Sequence, residues 1–73
     1  MIEISSAMQQ DAIKELLDGK ELEGVTFGFE SKQGIKLIFN TNTDDNDAAA
    51  KIAKEAIKNE TWGKVLYFQA VAK

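Results

Sequence analysis

Residues 44–59, DDNDAAAKIAKEAIKN, form the clearest amphipathic helix pattern in this 73-residue sequence. Ala, Lys and Glu are strong helix formers, so intrinsic propensity agrees with the pattern. Thr43 or Asp44 is predicted to cap the start, and Asn59 to end the helix in a left-handed turn. At about 100° per residue the apolar side chains fall on one narrow arc, which consists of Ala49, Ile52, Ala53, Ala56 and Ile57.

A β-hairpin is predicted before this helix. Residues 24–30, GVTFGFE, alternate between apolar and other side chains, and so do residues 35–40, IKLIFN. The SKQG turn between them contains Gly34, which can adopt a positive φ angle. The hairpin therefore has one strongly apolar face, formed by Val25, Phe27, Phe29, Ile35, Leu37 and Phe39.

A last strand is predicted over residues 64–72, KVLYFQAVA, which are apolar on both faces. We expect Leu66 and Phe68 to point toward the helices. A strand that is apolar on both faces usually lies inside a sheet or has its second face covered.

The N-terminal part of the chain carries weaker signals. Ile2 and Ile4 alternate with Glu3, which predicts a very short strand next to a fraying terminus. Ser6 and Gln9 fit a capping box, which predicts a helix over residues 7–18 that ends at Gly19.

These elements predict one α+β domain over residues 1–73. The order β-α-β-β-α-β indicates a ferredoxin-like two-layer sandwich, with both helices on one face of an antiparallel sheet. If residues 2–4 do not form a strand, the alternative is an α-β-β-α-β sandwich with three strands. Either arrangement would bring Phe27 and Phe39 against Leu17, Ile52 and Ile57.

Composition limits the partners and the compartment. The net charge is −3, and all nine basic residues are Lys. Without Arg there is no guanidinium fork for phosphate or guanine, so we expect no nucleic-acid partner. The sequence has neither a signal peptide nor an apolar run long enough to span a membrane. We therefore predict a cytoplasmic protein with no membrane partner.

The absence of His and Cys removes the commonest general base and the best nucleophile. No phosphate-binding glycine motif is present, and paired carboxylates such as Glu21 and Glu23 lie in polar stretches. The composition thus favours a non-enzymatic function without a cofactor.

Residues 40–47, NTNTDDND, resemble a calcium loop only in part. Asp45 replaces the glycine that the loop needs at its sixth position, and Lys51 replaces the glutamate at its twelfth. We interpret the cluster as a capped helix start. The stripe formed by Lys51, Lys54 and Lys58 is interpreted as a solvated helix face, with docking on an acidic partner as the alternative.

The outer face of the predicted sheet is the candidate interface. It would carry Ile38, Val65, Tyr67 and Val71, and an exposed patch of this kind marks a contact site. We therefore predict a protein-interaction or regulatory module that forms a homodimer by two-fold symmetry or binds an unidentified protein. The alternative is a small-molecule binder or minimal enzyme, with a pocket between sheet and helices that uses Tyr67, Trp62 and a carboxylate.

Overall fold

The computed structural model describes all 73 residues, which form two helices and five strands and make a small α+β domain. In chain order the elements are β1 (Ile2–Ser5), α1 (Gln10–Leu17), β2 (Glu21–Leu22), β3 (Val25–Gln33), β4 (Lys36–Thr41), α2 (Asn46–Lys58) and β5 (Gln69–Ala72).

The five strands form one sheet in the order β2-β3-β4-β1-β5, and every neighbouring pair is antiparallel. The sheet curls into a half-barrel, so the predicted ferredoxin-like two-layer sandwich is wrong. The three-stranded alternative is wrong as well. Three features that the sequence did not predict account for the difference: the added strand β2, a bulge in β3, and the short length of β5.

The added strand β2 comes from a tight hairpin. Leu22 pairs with Val25, and the two residues between them, Glu23 and Gly24, have φ angles of 51° and 83°. Positive φ at both central positions is typical of a type I′ turn, whose twist matches that of the flanking strands. The polar residues between α1 and β3 therefore extend the sheet beyond β3.

The bulge lies in the middle of β3. Phe29 pairs with Phe39, but the next pair joins Ser31 to Ile38, so Glu30 is an extra residue on one strand only. A bulge bends its strand and increases the local twist. This bend contributes to the curl of the sheet.

The doubtful first strand forms and lies between β4 and β5. Ile2 pairs with Phe39 and Ala72, and Ile4 pairs with Leu37 and Ala70. Both isoleucines are fully buried. Pairing on both sides secures this four-residue strand in the sheet.

One apolar interior fills the concave side of the sheet. The predicted meeting of Phe27 and Phe39 with Leu17 and Ile57 is confirmed, and Ile52 packs at the margin of the cluster. The buried residues of this core are Ile2, Ile4, Ile13, Leu17, Val25, Phe27, Leu37, Phe39, Ala49, Ala50, Ala53, Ile57 and Phe68. The small alanines of α2 let this helix approach the large side chains of the sheet closely.

Helix α1 starts later than predicted. Its N-cap is Gln9, which has a positive φ of 59° and makes no side-chain cap bond. The Ser6 hydroxyl instead donates to the Met8 carbonyl at 2.6 Å. The Gln10 side chain, rather than that of Gln9, reaches back to the Ser6 carbonyl at 2.7 Å. Residues 6–9 therefore form a bonded turn, and the predicted capping box is wrong.

The boundaries of α2 shift by only one or two residues. Asp45 is the N-cap, and its carboxylate accepts a hydrogen bond from the Ala48 amide at 3.2 Å. The Thr43 hydroxyl accepts from the Asp45 amide at 3.1 Å. Asn59 remains right-handed, with φ −75°, so the predicted left-handed ending is wrong.

The last strand is shorter than predicted, because residues 61–65 form a turn and residues 66–68 pair with no other strand. The amides of Gly63 and Lys64 both donate to the Glu60 carbonyl, at 3.0 and 3.1 Å. Gly63 is buried against the end of α2, where a Cβ atom would overlap the Ile57 carbonyl. This contact folds the chain back across the end of α2, and β5 therefore begins only at Gln69.

Candidate interaction groove

A groove of about 560 Å³ lies at the end of the sheet where the end of β1 and the start of β5 meet the tip of the β3–β4 hairpin. We call it the end groove. Nine residues line it, six of them hydrophobic: Ser5, Ser6, Ala7, Met8, Ile35, Val65, Leu66, Tyr67 and Gln69.

One wall of the end groove is the turn between β1 and α1. The Ser6 amide donates to the Ile35 carbonyl at 2.9 Å, which fixes this turn against the hairpin tip. The Ser6 hydroxyl bonds Met8, and the Gln10 amide group donates to the Ser6 carbonyl. Ser6 is the one buried polar residue of the chain, and these bonds satisfy it. Met8 and Ile35 are both exposed and line the same groove.

The opposite wall is the segment that leads from the turn around Gly63 into β5. Leu66 and Phe68 pack on the interior, which turns Val65 and Tyr67 outward. The Leu66 amide donates to the Gly63 carbonyl at 3.2 Å, so the turn around Gly63 sets where this wall begins. Gln69 then pairs with Ser5 at the start of β5.

The end groove gathers most of the exposed large apolar side chains of the molecule. Six such side chains are exposed, and four of them line this groove. Their exposed fractions are 89% for Val65, 85% for Tyr67, 67% for Met8 and 51% for Ile35. An apolar cluster that a chain leaves in water typically marks a contact site.

The lining of the end groove carries no charged side chain, although 29% of the residues of this chain are charged. Its polar members are two serines, a glutamine and the tyrosine hydroxyl, which donate and accept hydrogen bonds while neutral. Met is flexible and polarisable, and Tyr combines an apolar ring with a polar tip, so both suit a contact surface. The lining is therefore mostly apolar and carries no formal charge.

The four predicted interface residues do not form one surface. Val65 and Tyr67 lie together in the end groove. Ile38 is only 3% exposed, so the expectation that it forms an open face is wrong. Its cross-strand neighbours Glu3 and Ser31 are half-buried and flank it. Val71, on β5, is 47% exposed and lies outside the groove. Its partner across the ladder is Glu3 of β1.

Two groove residues, Met8 and Ile35, were not among the predicted interface residues. Met8 lies within residues 7–18, which were predicted to form a helix, and Ile35 was predicted on the apolar face of the hairpin. Both lie in turns instead, where side-chain alternation no longer decides which face is buried. Ile35 immediately follows Gly34, whose φ of 63° confirms the predicted turn conformation. A hydrophobic residue at the tip of such a tight turn is the one sequence signal that points to this site.

Three of the acidic and amide side chains of 40–47, those of Asn42, Asp45 and Asn46, make internal bonds. The Asn42 side-chain oxygen accepts from the Thr26 amide at 2.9 Å, and the Asn46 side-chain oxygen accepts from the Thr41 hydroxyl at 2.8 Å. No group of three or more acidic side chains is arranged to hold a metal ion. These bonds agree with the interpretation of the stretch as a helix start.

The pocket that the alternative hypothesis requires is present only in part. Tyr67 lines the end groove, but Trp62 packs against the interior and no carboxylate is among the lining residues. A more polar cleft of about 370 Å³ beside the start of α1 holds Asp11 and Lys32, without an aromatic side chain.

Neither helix is long and apolar enough to cross a membrane. No protein-family model, curated protein or solved structure matches this chain.

Proposed function

We propose that this chain is a non-enzymatic protein-interaction module whose end groove holds an uncharged, apolar segment of a protein partner. The observation that carries the proposal is the convergence of Met8, Ile35, Val65 and Tyr67 on one uncharged groove. Burying such side chains contributes about 25 cal/mol per Å² of apolar area, so these four supply most of the binding free energy. Cytoplasmic localisation belongs to the same proposal, and cell fractionation tests it.

The chemistry of the lining specifies the partner segment. A charged side chain inside the groove would lose hydration without gaining an ion pair, which is costly. The segment should therefore present Leu, Met or Phe to the groove and keep its charged residues outside. The side chains of Ser5 and Gln69 can bond its backbone groups.

Selection from a phage-displayed library of random linear peptides tests this proposal. We expect enriched peptides to carry an uncharged apolar core, and to shift the backbone amide resonances of residues 65–69. Val65→Glu and Tyr67→Glu should each weaken peptide binding at least about tenfold, because each places a charge in an apolar contact.

Thr61→Glu is the matched control. Thr61 is exposed, lies in the turn before the groove and does not line it, so this variant adds the same charge at a neighbouring position. Peptides that bind Val65→Glu and Tyr67→Glu as tightly as the native chain would refute the proposal, as would a selection that enriches no sequence.

Binding of a small molecule is the second candidate function. The end groove has about 560 Å³ of space, which lies within the roughly 300–1,000 Å³ that is typical of ligand sites. A screen of neutral aromatic and aliphatic fragments, read from the same amide resonances, tests it. Fragments that bind native protein and fail to bind Tyr67→Glu would favour this candidate over the peptide.

A further inference from the structure

The two edges of the sheet differ in how well they are protected against pairing with another strand. At one edge, β2 has only two residues, Glu21 and Leu22, and Glu23 follows it directly. At the other edge, β5 reads QAVA and has no charged residue, no proline and no bulge. Natural edge strands usually carry one of these protective features, so β5 is open to pairing with a further strand.

The backbone groups that β5 leaves free can be identified from its pairing with β1. The Lys73 amide donates to the Met1 carbonyl at 3.0 Å, and Glu3 pairs with Val71 in the same register. In an antiparallel ladder the hydrogen-bonded pairs alternate, so Val71 bonds β1, whereas Ala70 and Ala72 point their N–H and C=O groups away from it. Those groups have no backbone partner in the chain.

Helix α2 runs beside this free edge in the opposite direction to β5. The start of α2 and the end of β5 both lie next to Met1, because the Met1 amino group donates to the Asn46 side chain and Lys73 bonds the Met1 carbonyl. A groove of about 470 Å³ separates the two elements. Its lining is Asp47, Ala50, Lys51, Lys54, Ala70, Val71 and Ala72.

We propose that a second copy of this chain binds at the β5 edge, so that two β5 strands pair antiparallel across a two-fold axis at Val71. Ala70 of one copy then lies opposite Ala72 of the other. Each such pair exchanges two hydrogen bonds, and the two pairs together satisfy every free backbone group of Ala70 and Ala72. The proposal goes beyond the end groove, since none of the edge residues from Ala70 to Ala72 lines it.

The charges of α2 favour a second copy over an unrelated strand. The two-fold axis places the α2 helices antiparallel on the same side of the joined sheet. The Asp47 end of one helix then faces the Lys54 end of the other, which gives two symmetric attractive pairs. Lys51 lies near the axis and meets its own copy, which is the one repulsive contact of the arrangement.

Sedimentation velocity over a concentration series tests the proposal. We expect a monomer–dimer equilibrium, with Asp47→Lys and Lys54→Asp each weakening dimerisation by about tenfold. The double variant restores attraction with the signs exchanged and should return to the native dissociation constant. Lys51→Ala should tighten the dimer, because it removes the like charges near the axis.

The backbone contribution is tested by Ala72→Pro. Proline is tolerated on an edge strand where the N–H faces solvent, so this variant removes an outward donor and should keep the circular dichroism spectrum of the fold. We expect it to abolish the dimer, whereas Ala72→Ser, which keeps the amide, should dimerise normally. In native protein the amides of Ala70 and Ala72 should exchange more slowly with deuterium as the dimer forms.

Three results would overturn the proposal. The first is a monomer at every concentration, and the second is a dimer that the charge reversals and Ala72→Pro leave unchanged. The third is a dimer that Tyr67→Glu dissociates while Ala72→Pro does not, which would place self-association in the end groove. Loss of peptide binding by Tyr67→Glu in an intact dimer tests the groove separately, so the two proposals fail independently.

Discussion

The interior and the end groove are two apolar regions of the same small molecule, and they differ in what fills them. The interior is filled by side chains of this chain, with alanines of α2 set against Phe27 and Phe39. The end groove has equally large side chains, and this chain places nothing over them. Segment 65–68 serves both regions, because Leu66 and Phe68 point inward and Val65 and Tyr67 point outward. The comparison separates side chains that hold the fold from side chains that are available to a partner.

The largest effect is expected from emptying the interior at Phe39. This ring is fully buried and meets Phe29 edge-on, with a centroid distance of 5.7 Å. Phe39→Ala should lower the free energy of unfolding by about 3–5 kcal/mol, because it removes apolar contacts and leaves a cavity. Urea denaturation followed by circular dichroism measures the loss. Phe39→Leu is the control and should cost about 1 kcal/mol, and equal effects of the two variants would contradict a tightly packed interior.

The next effect is expected at the junction of the two regions, Gly63. A side chain there would overlap the Ile57 carbonyl, so Gly63→Ala should destabilise the fold by about 1–3 kcal/mol and displace the wall of the groove. Gly28→Ala is the matched control, because a Cβ atom at Gly28 meets no heavy atom within 4 Å. Urea denaturation of both variants checks the difference. A Gly63→Ala protein as stable as Gly28→Ala would show that residue 63 does not fix the segment.

A smaller effect is expected from loosening the helix that covers the interior without changing any apolar contact. Asp45 caps α2 through the Ala48 amide, so Asp45→Ala should cost about 1 kcal/mol of stability. Asp44→Ala removes the same charge from the neighbouring position, where the side chain accepts no hydrogen bond within the chain, and should cost less. Thermal unfolding of the two variants in parallel measures the contribution of the cap, and equal melting temperatures would argue against it.

The smallest effect on stability is expected in the end groove. Tyr67 is 85% exposed, so Tyr67→Ala should change the free energy of unfolding by no more than about 0.5 kcal/mol. The same variant should lose binding of the selected peptides. A loss of stability comparable to that of Phe39→Ala would erase the distinction between the two regions.

The sequence predicted the residues of the interior better than their arrangement. Alternation identified Phe27, Leu37 and Phe39 as inward-facing, and the helical arc identified Ala53 and Ile57, because burial follows the period of each element. Apart from the predicted hairpin, which forms as β3 and β4, the pattern carried no information on which strands are neighbours. Residues 64–72 were predicted as one strand, but residues 64 and 65 lie in a turn packed against α2 and residues 66–68 have no neighbouring strand.

Of the four exposed apolar side chains in the end groove, the sequence predicted two as interface residues. Val65 and Tyr67 were identified because they alternate with buried neighbours in an apolar run. Met8 and Ile35 reach the same groove through turns that depend on Ser6, and no local period describes such turns. The prediction that Ile38 is exposed was wrong because its burial depends on residues of the two neighbouring strands, which the local sequence does not reveal.

The position of β1 has a consequence for how the chain folds. Residues 2–5 pair with residues 69–72, so strands from opposite ends of the sequence are neighbours in the sheet. Bringing them together requires closing a loop that contains the rest of the domain, and such long-range pairing slows folding. During translation, β1 cannot pair with β5 until residue 72 has been synthesised. We therefore expect the sheet to be completed after translation of this segment, as the final step of folding.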